Sequence, residues 1–338
     1  MTDEQKKVLE ASGIVDATDV SRYGSGHINE TYKVETASGV RYILQRVNTT
    51  IFDVDLLKTN VVRVTEFLKS KGVKSLEVVG YDNPWRIYKF LEGYTSRDVV
   101  SEPHQAYDVG RAFAKFQNDL ADIPPPRLED IIPKFHDTPN RLKQLDDAAA
   151  KDVKGRLQSV AAEMAFVDSW RKNASRIVDL MASGEIPERV THNDTKINNV
   201  MIDANGEAVV IDLDTTMPGS ALFDFGDMVR TSTAAAAEDE ADLSKVFAKR
   251  EYFEALAKGY LEGAKFLNEA ERANLVFSGK LATFEVGIRF LADYLAGDVY
   301  FHTKYDDHNL VRARNQFQMV RSLEEQTADF EAIVKGLS

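Results

Sequence analysis

Cysteine is absent from all 338 residues, which excludes disulfides, thiolate metal sites and a cysteine nucleophile and fits a reducing compartment. No apolar run is long enough to span a membrane, and the polar start Met-Thr-Asp-Glu-Gln-Lys-Lys leads into no apolar signal region. A cytoplasmic protein is expected, with no membrane partner. A basic excess is lacking too: 42 Lys and Arg stand against 54 Asp and Glu, a net charge of −12. Polyanions such as nucleic acid are therefore poor partners, and the acidic balance is read as serving solubility. The six histidines, at 27, 104, 136, 192, 302 and 308, lack zinc-like spacing. No G-x-x-x-x-G-K-[ST] phosphate loop occurs anywhere.

What is present suits a two-lobed globular chain, since 338 residues exceed one small core. A short helix is expected over 3–12, stopped by Gly13. Around Gly24-Ser25-Gly26 the flanking residues alternate, the mark of a hairpin whose bare turn approaches phosphates through backbone N–H groups. A strand follows over 40–47, then an amphipathic helix over 53–71 with Val54, Leu57, Val61, Val64 and Leu68 on one face. Two more strands, near 76–79 and 85–90, flank the turn Asp82-Asn83-Pro84. Residues 1–91 thus read as a five-stranded antiparallel sheet with one helix, and 92–338 as a larger, mostly helical lobe. Helices are expected at 102–120, with Phe113 and Phe116 on one face, in segments over 138–183, and throughout 238–335. Pro124-Pro125-Pro126 begins a stiff connector.

The chain is organised around residues 191–214, which carry His192-x-Asp194, Asn199 five residues later, and Ile211-Asp212 beyond a hairpin. This is the layout H-x-D-x-x-x-x-N followed by a strand-borne aspartate that phosphoryl transfer requires. One carboxylate, Asp194, stands beside the attacking hydroxyl; two oxygen ligands, Asn199 and Asp212, serve Mg²⁺ on the nucleotide phosphates. The hairpin turn, Asp203-Ala204-Asn205-Gly206, carries the Asn-Gly signal of a two-residue loop. The bland alternative is a polar turn between two strands. Asp224-Phe225-Gly226 lies 30 residues past Asp194 (224 − 194) and is read as a brace: Asp224 accepts backbone N–H bonds from the catalytic loop and leaves the metal to Asp212.

Other positions stay open between two readings. A phosphate-gripping lysine on the third strand is replaced by Gln45 or Arg46, with Arg46 either a phosphate ligand or a solvated charge; Glu66, on the following helix, is a candidate partner. Leu91-Glu92-Gly93-Tyr94 is a candidate hinge. Arg289 lies four residues from both Glu285 and Asp293, so it is either half of a helix-surface ion pair or a substrate-gripping cation. Arg312 and Arg314 read as surface neutralisation or as substrate contacts.

The His192–Asn199 run, the Ile211–Thr215 strand with Met217-Pro218-Gly219, and the Asp224–Asp227 segment together resemble the aminoglycoside-phosphotransferase superfamily. They look most like its N-acetylhexosamine 1-kinase branch, as do Gly26-His27-Ile28-Asn29, the stretch from Arg289 to Phe301, and that from His308 to Gln316. The likeness runs from about residue 20 to about residue 320. It implies an α+β, bilobal protein-kinase-like fold, ATP and Mg²⁺, and phosphorylation of the C1 hydroxyl of N-acetylglucosamine or N-acetylgalactosamine. By the same likeness Asp194 is catalytic, Asn199 and Asp212 hold the metal, and Asp194, His27 and Arg289 contact the sugar. Gly24, Ser25, Gly26 and Arg46 are then the candidate nucleotide contacts. A monomer is expected, its partners a sugar and ATP. Another small alcohol on the same fold (an aminoglycoside, choline or methylthioribose) is the rival acceptor, and a non-catalytic nucleotide-binding module the rival class.

Overall fold

A computed structural model describes residues 1–24 and 28–337. Ser25, Gly26 and His27, three of the site positions expected above, lie outside the described residues. In chain order come α1 (Asp3–Ala11), β1 (Ala17–Arg22), β2 (Glu30–Thr36), β3 (Arg41–Arg46), α2 (Val54–Ser70), β4 (Val78–Asp82), β5 (Trp85–Lys89) and β6 (Thr95–Ser96). Then follow α3 (Pro103–Leu120), α4 (Thr138–Lys151), α5 (Ala161–Trp170), α6 (Arg176–Ala182), β7 (Arg189–Thr191), β8 (Val200–Ile202) and β9 (Ala208–Val210). The chain ends in α7 (Ala221–Ser232), α8 (Arg250–Gly263), α9 (Glu269–Ala296), α10 (His308–Glu325) and α11 (Thr327–Leu337). The class is α+β, with an antiparallel-sheet lobe and a larger helical lobe.

One compact unit comprises Met1–Ser96, Asp122–Pro133 and Val200–Met217. Its sheet has the order β1-β2-β3-β5-β4, with every pairing antiparallel. Alternation along the strands sends Val34, Leu44, Trp85 and Ile87 into a core shared with Val8 and Leu9 of α1. Helix α2 starts at Asp53, whose side chain accepts the N–H groups of Asp55 and Leu56. It buries Leu57, Val61, Val64 and Leu68 at helical spacing, as the pattern predicts. Asn60 shares that face and ties the unit together: its Nδ2 donates to Glu129 O (2.9 Å) and Thr216 O (3.0 Å), and its Oδ1 accepts Glu129 N–H (2.9 Å). Glu66 turns to solvent instead, and among the described residues it forms no ion pair. The 3.6-residue period that buries Thr65 and Leu68 leaves position 66 outside.

Strands β8 and β9 pair as expected, with β6 on the far edge of β8. The loop differs from the expected two-residue turn. Gly206 N–H bonds Asp203 O (3.1 Å), Asp203 N–H bonds Glu207 O (3.0 Å), and Gly206 takes φ 81. Three residues therefore connect the strands, the glycine supplying the left-handed position after an ordinary turn.

The second unit comprises Arg97–Ala121, Lys134–Asn199 and Pro218–Ser338. Helices α3 and α8 pack backbone to backbone: a Cβ at Gly259 would sit 2.1 Å from Tyr107 O, and one at Gly110 would sit 2.4 Å from Leu256 O. The C-terminal third is less helical than the sequence suggests. Residues 238–249 carry no α-helix; Asp242 accepts Ser244 N–H, a local bond that competes with helix. Helix α9 stops at Gly297 (φ 97), and the buried Asp293 takes the N–H groups of Val299, Tyr300 and Phe301 (2.8–3.0 Å). Gly259→Ala is expected to force α3 and α8 apart and cost about 1–3 kcal/mol, the usual range for overpacking, read by chemical denaturation.

Candidate active site

In the helical unit two buried carboxylates, Asp224 and Asp227, set the loop that carries Asp194. Asp224, in the first turn of α7, accepts His192 N–H on Oδ2 (2.9 Å) and Asn193 N–H on Oδ1 (2.7 Å), while Gln117 Nε2 donates to the same Oδ2 (2.6 Å). This is the bracing role expected of the Asp-Phe-Gly aspartate. Burial pushes the Asp224 pKa up, and the bonds from His192, Asn193 and Gln117 only partly offset it. Asp227, one turn on, accepts Thr195 N–H (2.9 Å) and is itself held by Arg230 (2.7 Å). The His192 ring lies against Phe113 and Phe116 of α3, centroids 5.2 and 5.8 Å away, and its Nδ1 accepts Asp194 N–H (3.3 Å). Asn193 is driven to φ 64, a conformation that asparagine tolerates better than most residues.

The outcome is a half-exposed Asp194 held on both sides. Lys196 Nζ lies 2.8 Å from Oδ1, and Asn199 Nδ2 donates to Oδ2 (3.1 Å) and to the Asp194 carbonyl (2.8 Å). A 3₁₀ turn over Ile197–Asn199 closes that spacing. Burial alone would raise the Asp194 pKa; the Lys196 ammonium, with His192 and the Asn199 bond, outweighs it and holds the carboxyl below its ordinary value. Lys196 was not singled out in the sequence, although its place two residues past Asp194 was in plain view.

Asp212 falls in the sheet unit, beyond the end of β9, at φ 57 and ψ 61. Two residues on, Asp214 is buried in a polar network. Arg86 Nη2 of β5 lies 2.5 Å from Asp214 Oδ1, and Asn29 Nδ2 donates to Oδ2 (2.6 Å). Gln45 Oε1 of β3 accepts Arg86 Nε and Nη2 (2.8 and 2.6 Å), and its Nε2 donates to Thr31 (2.9 Å). Among the described residues of this unit the buried cation is therefore Arg86, reached through Gln45. Arg46 is exposed at the end of β3, its Cα opposite Trp85. Burial opposes the charge on Arg86, but the Asp214 carboxylate carries its pKa above the usual arginine value. Gly24 takes φ 78.

Asn199 in the helical unit and Asp212 in the sheet unit each offer an oxygen of the kind hard divalent cations prefer. With Nδ2 of Asn199 committed to Asp194, its amide oxygen is the prong left to accept, and Asp212 brings a carboxylate. Among the described residues no cluster of three or more His, Asp or Glu makes a closed metal cage. Magnesium typically takes one or two protein oxygens and completes its shell with water and phosphate.

Arg289 is half-exposed on α9, and neither expected acid is its partner. Glu285 accepts His136 Nδ1 (2.7 Å) and Thr138 Oγ1 (2.5 Å), and Asp293 is spent on the 299–301 backbone. The Arg289 guanidinium rests against the rings of Phe135 and Phe301 (5.4 and 5.6 Å). Arg314 pairs with Glu163 (2.6 Å) and Arg312 reaches His302 O (3.3 Å), the bland reading of that cluster.

Residues 19–268 match the model of the phosphotransferase enzyme family abbreviated APH, and the chain belongs to that family. Solved structures agree in fold. A choline/ethanolamine kinase family protein from Mesorhizobium loti is 16% identical, with 99% of this chain and 98% of that chain covered and a TM-score of 0.62. A microcompartment-associated aminopropanol kinase is 15% identical over 93% and 94%, with a TM-score of 0.63. The amicoumacin kinase hAmiN, solved with AMP-PNP, Ca²⁺ and Ami, is 15% identical over 96% and 94%, with a TM-score of 0.57.

Arg86→Met leaves Asp214 buried without its cation. A loss of about 3–5 kcal/mol is expected, the usual cost of breaking a buried pair on one side, measured by denaturant unfolding.

Proposed function

We propose that this phosphotransferase moves the γ-phosphoryl group of ATP to the C1 hydroxyl of an N-acetylhexosamine, giving the hexosamine 1-phosphate and ADP. The observation that carries the reaction type is the Asp194 carboxylate, kept ionised between Lys196 and Asn199 on a loop pinned by Asp224 and Asp227. Asp194 accepts a hydrogen bond from the acceptor hydroxyl and aims its oxygen at the γ-phosphorus. As the new P–O bond forms and the bond to ADP breaks, the hydroxyl proton passes to Asp194 and on to water. Lys196 keeps Asp194 ionised and offers its ammonium to the charge that develops on the phosphoryl oxygens. Asn199 and Asp212 are the residues that would hold magnesium, which when bound neutralises the nucleotide phosphates. The left-handed Gly24 leads into Ser25 and Gly26, the proposed phosphate-side turn, with Arg46 at the strand end; His27 and Arg289 are the proposed sugar contacts.

The acceptor class rests on charge. Choline, ethanolamine and aminopropanol, named for the structural neighbours, are cationic alcohols. Here Arg289 carries a guanidinium with no ion pair among the described residues, and its charge, after burial, pushes the pKa of Arg141 down. Two such cations favour a neutral acceptor over an amine.

Purified protein with ATP, Mg²⁺ and N-acetylglucosamine should form a 1-phosphate, located by phosphorus NMR. Asp194→Asn should lower kcat by about 10²–10⁴, the span for a lost general base, with the KM for ATP little changed. Turnover of choline or ethanolamine alone would sink the sugar assignment. Lys196→Met removes the charge that depresses the Asp194 pKa, so that pKa must rise. The acidic limb of kcat against pH should then move to higher pH than in the parent enzyme. An unmoved limb would separate Lys196 from the ionisation of Asp194.

A further inference from the structure

In the helical unit α5 and α10 lie side by side and in step. Arg314 Nε donates to Glu163 Oε1 (2.6 Å), the Phe166 and Phe317 rings meet at 5.0 Å, and Trp170 Nε1 donates to Glu324 Oε1 (2.8 Å). Along this seam opens a cavity of about 500 Å³, a size within the span of small-molecule sites. Glu163 of α5 lines it, with Val311, Arg314, Phe317 and Arg321 of α10 and Leu243 of the stretch 238–249. Steps of three and four residues put the four α10 residues on one face of that helix.

The charge in this lining is uneven. Glu163 is already bonded to Arg314, and only through Nε, so the terminal nitrogens of Arg314 have no partner among the described residues. Arg321 is exposed, forms no ion pair among the described residues, and rests its guanidinium on the Phe166 ring, 4.5 Å from the centroid. A planar cation already seated on a ring gives up little freedom when its N–H edge meets an anion. Two guanidiniums against one carboxylate make a local positive excess on a chain of net charge −12. Beside them Val311, Phe317 and Leu243 offer an apolar wall.

The stretch that supplies Leu243 is tied to α10 and to the loop of Asp194. Asn315 Nδ2 of α10 donates to Ala237 O and Glu240 O (3.0 and 3.2 Å). Glu238 Oε1 accepts Arg230 Nη1 (2.7 Å), the buried Arg230 holds Asp227 (2.7 Å), and Asp227 accepts Thr195 N–H (2.9 Å). A molecule lying against Leu243 and α10 at once therefore bears on a chain of charged hydrogen bonds that ends one residue past Asp194.

We propose that this cavity is an effector site for a small organic anion, an apolar body bearing a phosphate or carboxylate group. The anionic group meets Arg314 and Arg321, the body lies against Val311, Phe317 and Leu243, and occupancy steadies the loop of Asp194 through Glu238, Arg230 and Asp227. An ammonium would meet Arg321 as a like charge. None of this depends on which alcohol the enzyme phosphorylates.

The probes are phenyl phosphate and phenylacetate, titrated into the full chain by calorimetry, with inorganic phosphate and phenol as controls for the separate halves. Single-site binding of one of the two aromatic anions, tighter than of either control, is expected, and the better of them names the anionic group. In Arg321→Met that affinity should fall by about tenfold or more, the usual loss with a charge-assisted hydrogen bond. No binding of either aromatic anion, or an affinity unchanged in Arg321→Met, overturns the proposal. Should Arg321→Met fail to fold, Leu243→Asp, which puts a carboxylate into the lining, decides: lost binding supports the site and parental affinity overturns it. Amide hydrogen exchange over residues 193–199 reads the relay. The bound parent should exchange more slowly than the free parent, and Glu238→Gln, still binding the probe, should show no such slowing. Exchange unmoved in the parent, or slowed equally in Glu238→Gln, overturns the effector role.

Discussion

A buried aspartate with no ion pair among the described residues is expensive, and Asp224 shows what it is kept for. Its two oxygens gather consecutive backbone N–H groups, His192 and Asn193, and a side-chain amide from α3. Those bonds force the chain through a left-handed residue and deliver the next one, Asp194, outward. The raised pKa of Asp224 and the lowered pKa of Asp194 are two sides of one arrangement. For the first, desolvation outweighs the hydrogen bonds it receives; the second is given an ammonium. A rigid, partly strained support thereby carries an ionised, accessible carboxylate.

The proposed reaction centre was partly legible because Asp194 and Asn199 fall within six residues, and a local turn is enough to bring them into contact. The brace was legible for a related reason: Asp212 reads in the sequence as the metal-side aspartate, which leaves Asp224 to serve elsewhere. The sheet followed from alternation, and α2 from its apolar period. What failed to show was chemistry assembled across distance. Arg86 reads as one residue of an ordinary strand until β3 and β5 pair and place it opposite Gln45. His136 and Glu285 are separated by 149 residues, and no periodicity connects a turn to the middle of a long helix. Arg289 shows the converse: helical spacing offered it two acids, and both are consumed by tertiary contacts that the spacing does not encode.

The family fixes a fold and a reaction, and the differences among its members lie in the acceptor. At 15–16% identity the chain overlays almost the full length of kinases named for amino alcohols. Sequence so distant preserves the architecture while the charge around the acceptor is free to change sign.

Asn29 has a place in this that its size conceals. One end of its amide grips Asp214 and the other receives Asn48 N–H (3.0 Å). That single amide ties the start of β2 and the exit of β3 to the segment that follows Asp212, so a shift in any one of the three is handed to the other two.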